Sequence, residues 1–169
     1  DTEGGMIDPG LTAYVERVVQ DADSAGVDAL VFDIDTFGGR VDAATVIRDA
    51  ILDADLLTIA FINNRAISAG ALISLACDKI VMVKGGTIGA STPVSGGGEK
   101  ASDKYVSVMR AEMRGTAERT DRDAEIAEAM VDERIYIPEF SDEVGQPATL
   151  TTEQALQYGI ADETAESLH

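Results

Sequence analysis

The residue best suited to carry out chemistry in this sequence is Ser68, which follows an apolar run and begins a predicted helix. Residues 56–62 have the length and composition of a buried strand, and the polar residues 63–65 predict a turn after it. A serine at a helix N-terminus lies among backbone N–H groups that lack intrahelical partners, and such groups can stabilise the anion formed in acyl transfer. Ser68 is therefore a candidate nucleophile. The alternative is a serine that only caps the helix.

A serine nucleophile needs a general base, and the sequence favours lysine for this role. The single histidine, His169, is the last residue, where order is least expected, which disfavours a Ser-His-Asp triad. Lysine accepts a proton only when neutral, so a lysine base needs a desolvated position. Lys104 fits, because it begins an amphipathic helix with Val108 and Ala111 on its own face, whereas Lys100 in the Gly-rich stretch lacks such support. The alternative for Lys104 is an ordinary exposed cation.

Glycine and alanine surround the candidate nucleophile in two segments. Gly38 and Gly39 stand at a predicted strand-to-helix junction, where glycine lets the backbone turn an N–H toward a substrate carbonyl, and the Ala69 N–H can supply a second donor. The small residues Ala69 and Gly70 let an extended substrate approach Ser68 closely. A plain strand-to-helix turn is the alternative for the glycine pair.

The pair Asp33 and Asp35, which follows another apolar run, offers a different chemistry. Paired aspartates after a strand resemble those of magnesium-dependent phosphatases, in which one carboxylate attacks phosphorus. Phe37 is a poor match to that pattern, and further acidic ligands cannot be singled out. Phosphoryl transfer is therefore the weaker hypothesis, and we expect neither a metal nor another cofactor.

Composition restricts the class of partner. Thirteen Lys and Arg residues against thirty-one Asp and Glu residues give a formal charge of −18, which disfavours nucleic acid and anionic lipid. The single Cys77 cannot form an internal disulfide and is expected to be packed. No apolar run approaches the roughly 18 residues of a membrane span, and no leader pattern is present, which predicts a soluble chain.

Hydrophobic periodicity predicts alternating strands and helices, which is typical of an α/β fold with a largely parallel sheet. Strands are expected at 29–32, 56–62, 79–83, 135–137 and 148–150. Helices are expected at 9–25 and 43–51, from Ser68, from 102 or 103, at 121–131, and from a capping box at Thr151 to Gln154 as far as Gly159. The Gly-rich stretch from Gly85 predicts a long loop. Residues 1–169 are expected to form one domain.

Three segments, 35–42 (DTFGGRVD), 66–71 (AISAGA) and 88–94 (IGASTPV), closely resemble the N-terminal protease domain of the NfeD-type membrane-bound serine proteases. These are relatives of signal peptide peptidase A with the ClpP/crotonase-like fold, and the resemblance extends from about residue 7 to residue 165. It implies Ser68 as the nucleophile and Lys104 as its base, with Ala111 and Arg114 following on the same helix.

The resemblance also implies how the substrate carbonyl is held. It implies Gly39 and Ala69 as oxyanion donors, with Gly38 shaping the turn. Two features depart from the family pattern: Phe37 replaces the usual proline, and the first family strand, before Ile7, is missing or reduced.

By the same resemblance, the domain is a serine endopeptidase with a Ser-Lys dyad that cleaves hydrophobic peptide segments, such as those of stomatin-like membrane proteins. The family further implies a homodimer or higher homo-oligomer on the extracytoplasmic side of a membrane-bound protein. Two alternatives remain open. One is a non-catalytic binding or scaffold module for a membrane partner. The other is a crotonase-like acyl-CoA enzyme, for which the chain shows no basic cluster.

Overall fold

The structure is a computed structural model that describes residues 6–140 and 144–168. Helices and strands alternate along most of the chain. The helices are α1 Pro9–Ala25, α2 Val41–Leu52, α3 Ala69–Ala76, α4 Asp103–Arg119, α5 Ala124–Ala129 and α6 Thr152–Gln157. The strands are β1 Ala29–Thr36, β2 Leu57–Ile67, β3 Lys79–Met82, β4 Thr87–Gly89, β5 Thr149–Thr151 and β6 Glu163–Thr164.

Strand β2 is the centre of the sheet. It pairs in parallel with β1 on one edge. On its other edge it pairs in parallel with two strands in succession, with β3 along residues 59–62 and with β4 along residues 65–67. Strand β6 is parallel to β3, whereas β5 is antiparallel to β4. The expected α/β fold with a largely parallel sheet is therefore confirmed, with β4 and β5 as its antiparallel exception.

The most buried helix is α3, in which all eight residues are shielded from solvent. It is short and apolar except for Ser74, whose hydroxyl donates to the Gly70 carbonyl at 2.7 Å within the same helix, and it contacts β2 together with helices α2 and α4. A helix that is apolar on every side is stable only inside a core. The residue immediately before it, Ser68, is thereby fixed at the boundary between the core and the end of the sheet.

The predicted polar turn at residues 63–65 is wrong, because β2 continues through it to Ile67. The polar side chains find partners on β1: Asn63 donates to Asp33 at 2.7 Å, and Asn64 donates to Asp35 at 3.2 Å. Paired polar side chains can remain on an extended strand at little cost. The sheet therefore reaches the candidate nucleophile without an intervening loop.

Three other predictions of local structure are also wrong. The Gly-rich loop contains strand β4, and residues 135–137 form no strand: they follow a turn in which the Ile135 N–H donates to the Asp132 carbonyl. Helix α5 begins after Asp123, whose carboxylate accepts from the N–H groups of residues 125 and 126. Asp121 cannot belong to that helix, because its φ of 56° is left-handed.

Other local expectations are confirmed. Helix α1 ends at Gly26 with φ 64°, and the capping box of Thr151 and Gln154 is present at α6. Cys77 is buried, and burial raises the pKa of its thiol to about 12. His169 lies outside the described residues. In residues 6–140 and 144–168, no helix combines the length and the apolar character that a bilayer span requires.

Candidate active site

Ser68 joins β2 to α3 in a strained backbone conformation, with φ 57° and ψ −119°. Its N–H donates to the Gly89 carbonyl at 2.9 Å, and its own carbonyl accepts from the Ser91 hydroxyl at 3.2 Å and from the Ala71 N–H at 3.0 Å. A non-glycine residue persists in this region only where its surroundings enforce it. The side chain makes no capping hydrogen bond to α3, so the interpretation of Ser68 as a simple helix cap is wrong.

The turn formed by Gly38 packs directly against the Ser68 side chain. A Cβ atom placed on Gly38 would lie 2.6 Å from the Ser68 Cβ and 3.1 Å from its Oγ, and the φ of Gly38 is +115°. The Gly38 N–H donates to the Thr36 hydroxyl at 2.9 Å. Only glycine satisfies both the close contact and the positive φ.

Ile7 holds the other side of this turn. Its N–H donates to the Gly38 carbonyl at 3.1 Å, and its carbonyl accepts from the Arg40 N–H at 2.8 Å. The result is a parallel bridge between Ile7 and Gly39, and a Cβ on Gly39 would lie 2.2 Å from the Ile7 oxygen. The glycine pair is thus clamped between Ile7 and Ser68.

The two backbone N–H groups that the sequence predicts as oxyanion donors belong to Gly39 and Ala69. Within the described residues, neither the Gly39 N–H nor the Ala69 N–H has a hydrogen-bond acceptor. Gly70 is buried, and a Cβ there would lie 2.5 Å from a methyl group of Thr36. The small size of Gly70 therefore lets α3 pack against β1.

Lys104 is the second residue of α4, and its side chain is exposed. Across residues 6–140 and 144–168 its amine has neither a hydrogen-bond acceptor nor an ion-pair partner. Val108 is 50% exposed and Ala111 is exposed, because α4 packs through Val106 and Met109 instead. The expected apolar cover of Lys104 along its own helix face is therefore wrong, and cover must come from elsewhere.

A short hydrogen-bonded path connects the nucleophile segment with the start of α4. Ser91, which donates to the Ser68 carbonyl, lies two residues before Pro93, whose carbonyl accepts from the Ala101 N–H at 2.9 Å. Lys104 follows Ala101 by three residues. The candidate base is thus tethered through residues 91–93 to the segment that carries Ser68.

A cluster of ion pairs, not identified from the sequence, fixes α4 against α5 and the residues that follow α5. The Asp132 carboxylate is fully shielded from solvent and accepts from Arg134 at 2.8 and 2.9 Å and from Arg110 at 3.0 Å. Glu128 accepts from Arg110 at 3.0 Å and from Arg114 at 2.6 Å. Arg110 and Arg114 are four residues apart, and so are Glu128 and Asp132. This matched spacing is the sequence signal that could have revealed the cluster.

The acid sensitivity of this cluster can be predicted. Hydrogen bonds from Arg134 lower the pKa of Asp132 to about 2, so the carboxylate stabilises the fold above the unfolded pKa near 3.9, and this stability is lost as the pH falls toward 2. We expect Asp132→Asn to lower the free energy of unfolding at pH 7 by about 2–4 kcal/mol and to flatten its decline below pH 4. Urea unfolding followed by circular dichroism measures both.

The exposed Asp28 provides a matched control for this experiment. Asp28→Asn makes the same chemical change outside the cluster. We therefore expect the free energy of unfolding to change by less than about 0.5 kcal/mol and its decline below pH 4 to be unaltered. Equal pH profiles for the Asp132 variant and the parent chain would contradict the role given to the carboxylate.

The alternative chemistry of Asp33 and Asp35 finds little support in the geometry. Both carboxylates are engaged by side chains of β2, and Asp35 additionally pairs with Arg65 at 3.4 Å. No group of three or more potential metal ligands occurs in the part of the chain that the structure describes. These aspartates therefore act as cross-strand partners.

A parallel sheet whose central strand ends at a strained serine beside a glycine turn defines the class of protein as ClpP-like. ClpP1 from Listeria monocytogenes shares this fold with a TM-score of 0.71 at 22% identity, over 97% of this chain and 89% of that chain. Residues 4–169 match the model of the NfeD1b N-terminal domain, and the chain belongs to that family.

Two relatives extend the comparison. The membrane protein NfeD1b of Bacillus subtilis is 37% identical over 162 residues, which are 96% of this chain and 37% of that protein. The chain therefore spans little more than a third of this relative. The 1510-N membrane-bound stomatin-specific protease, solved with one serine changed to alanine, matches with a TM-score of 0.82 at 27% identity, over 96% of this chain and 76% of that chain.

The same 1510-N protease has also been solved with a lysine changed to alanine, in complex with a substrate peptide. That structure matches with a TM-score of 0.82 at 27% identity, over 96% of this chain and 72% of that chain. A serine and a lysine are thus the mutated positions in these two structures of the relative.

Proposed function

We propose that residues 1–169 form a serine endopeptidase domain in which Ser68 and Lys104 are the catalytic dyad. The observation that carries the proposal is the Ser68 junction: a strained serine that caps nothing, in contact with the Gly38 turn and flanked by two N–H groups without acceptors in the described chain. The serine and lysine mutants of the 1510-N protease support the same pairing.

In the proposed reaction, the neutral Lys104 amine accepts the Ser68 proton as Oγ attacks the scissile carbonyl. The carbonyl oxygen becomes an anion, which the Gly39 and Ala69 N–H groups stabilise as donors. Lys104 then gives its proton to the leaving amine, and the peptide bond breaks to leave an acyl-enzyme. Water, deprotonated by the same amine, releases the acid and restores the Ser68 hydroxyl.

Lys104 must be shielded from water for this cycle to operate. The neighbouring segment 93–102 is a hairpin, in which Val94 pairs with Lys100 and the Ser95 N–H donates to the Glu99 carbonyl at 2.7 Å. We propose that this hairpin and the bound substrate together cover the amine. Val94, at 63% exposed, supplies apolar surface for that contact.

The proposed substrates are hydrophobic segments of membrane-associated, stomatin-like proteins. The 1510-N relative is described as stomatin-specific, and the Bacillus relative as a membrane protein. We further propose that the domain acts as a homodimer or higher homo-oligomer on the extracytoplasmic side, as part of a membrane-bound protein. The charge of −18 argues against a nucleic acid substrate.

A covalent-labelling experiment tests the proposal. A peptide-like serine reagent with apolar side chains, for example a peptidyl phosphonate, should add once to the chain, and peptide mapping should place the adduct on Ser68. Ser24→Ala is the control, because it removes an exposed serine hydroxyl on α1 and should leave the labelling unchanged. Binding of the parent apolar peptide without any adduct would favour the scaffold module over the protease.

A further inference from the structure

Phe37 is an exposed aromatic residue at the candidate active site. Its side chain is 70% exposed, although apolar rings of this size are ordinarily buried. It directly precedes Gly38, whose backbone contacts the Ser68 side chain. The ring is therefore next to the turn that carries the proposed oxyanion donor Gly39.

The ring is held in place from one side. The Arg65 guanidinium lies 4.3 Å from the ring centroid, a cation-π contact, and the Arg65 Nε lies 3.4 Å from a carboxylate oxygen of Asp35. Asn64 donates to the other oxygen of Asp35 at 3.2 Å. A side chain fixed before binding loses less conformational entropy when a ligand packs on it.

The charges behind the ring balance each other, since Arg65 is paired with Asp35. One face of Phe37 is occupied by the guanidinium, and the remaining surface is apolar and open to solvent. Such a surface gains free energy by covering another apolar group.

We propose that Phe37 is a specificity-determining residue, which forms the wall of a subsite for a large apolar or aromatic substrate side chain next to the scissile bond. This inference rests on the proposed protease function. The position follows from the geometry of an extended peptide: residues advance by about 3.3 Å each, and the scissile carbonyl oxygen is held at Gly39, two residues from Phe37. The side chains that flank the scissile bond are therefore the ones expected next to the ring.

Peptide kinetics on the 169-residue chain test this assignment. The substrates are peptides that carry Phe, Leu, Ala or Ser on either side of the scissile bond, and kcat/KM is measured for each. We expect Phe37→Ala to reduce the preference for Phe or Leu over Ala by about tenfold or more, with kcat/KM for the Ala peptide within about twofold of the parent. Phe37→Leu should give an intermediate preference.

Tyr14 supplies the matched control. It is also an exposed aromatic residue, 54% exposed, with the Arg17 guanidinium 5.7 Å from its ring centroid, but it lies on α1. Tyr14→Ala should leave the preference unchanged. Circular dichroism of each variant verifies that the chain is folded.

The possible results distinguish a failure of the Phe37 subsite from a failure of the proposed protease function. Ser68-dependent cleavage with an unchanged preference in Phe37→Ala overturns the subsite and leaves the protease proposal standing. An equal loss on every peptide, including the Ala and Ser peptides, also overturns it, because Phe37 would then only shape the glycine turn. Absence of Ser68-dependent cleavage of any peptide by the parent chain overturns both proposals.

Discussion

Lys104→Ala is expected to reduce peptide hydrolysis by about 10³-fold or more while changing the free energy of unfolding by less than about 0.5 kcal/mol. The two effects separate because the amine is the proposed base, yet its side chain is exposed and has no polar partner among residues 6–140 and 144–168. Ser68→Ala should lose as much activity, and the double variant should lose no more than either single variant, because the two residues act as a unit. Steady-state kinetics and urea unfolding measure these quantities.

Three controls sharpen the Lys104 experiment. Lys104→Arg should remain inactive, because a guanidinium does not lose its proton in proteins. Lys84→Ala, which removes another exposed lysine, should retain activity within about twofold. A small primary amine such as methylamine should partly restore hydrolysis in Lys104→Ala alone. Activity in Lys104→Ala within tenfold of the parent chain would refute the dyad.

The strand-to-helix junction at Ser68 could be predicted because its signals are local. Apolar residues mark the strand and the largely apolar helix, and each pattern is contained within about ten residues. The continuation of β2 through residues 63–65 could not be predicted in this way. The residues that stabilise it, Asp33 and Asp35, lie about thirty positions earlier, and their partners are known only once β1 and β2 are paired.

Whether apolar residues of its own helix shield the Lys104 amine could not be predicted from the sequence. Helix α4 carries apolar residues on two faces, and periodicity alone does not determine which face packs into the core. The structure buries Val106, Met109 and Met113, whereas Val108 remains half exposed beside Lys104. The position of the lysine in the chain could be predicted, but the solvent exposure of its amine depends on tertiary packing.

The buried guanidinium of Arg122 is expected to have the largest single effect on stability. Only 4% of its side chain is exposed, and it connects the end of α3 with the C-terminal segment. It donates to the carbonyl oxygens of Leu75, Cys77, Asp78 and Ile160 and to the Asp162 carboxylate, at 3.0 to 3.3 Å. Five acceptors, mostly backbone carbonyls, thus depend on one side chain.

Arg122→Met keeps much of the side-chain volume but removes every donor, so all five acceptors lose the guanidinium, although the Leu75 carbonyl keeps the Thr120 hydroxyl as a donor. We expect the free energy of unfolding to fall by about 3–5 kcal/mol and Tm to fall by about 10 °C. Arg122→Lys should recover only a small part, because one ammonium group cannot reach acceptors spread over two chain segments, 75–78 and 160–162. Thermal and urea unfolding followed by circular dichroism measure these changes.

Arg119 is the control for this substitution, since it lies three residues earlier on the surface and is 55% exposed. Arg119→Met should cost less than about 1 kcal/mol, as is typical of exposed ion pairs. The Leu75 and Cys77 carbonyls lie at the C-terminal end of α3, and Ser68 precedes its first residue. Loss of the guanidinium should therefore loosen this helix and also reduce the labelling of Ser68 at temperatures below Tm. Full labelling of Ser68, together with a decrease in the free energy of unfolding of less than about 1 kcal/mol, would contradict this prediction. Water would then replace the guanidinium, and the C-terminus of α3 would not depend on Arg122.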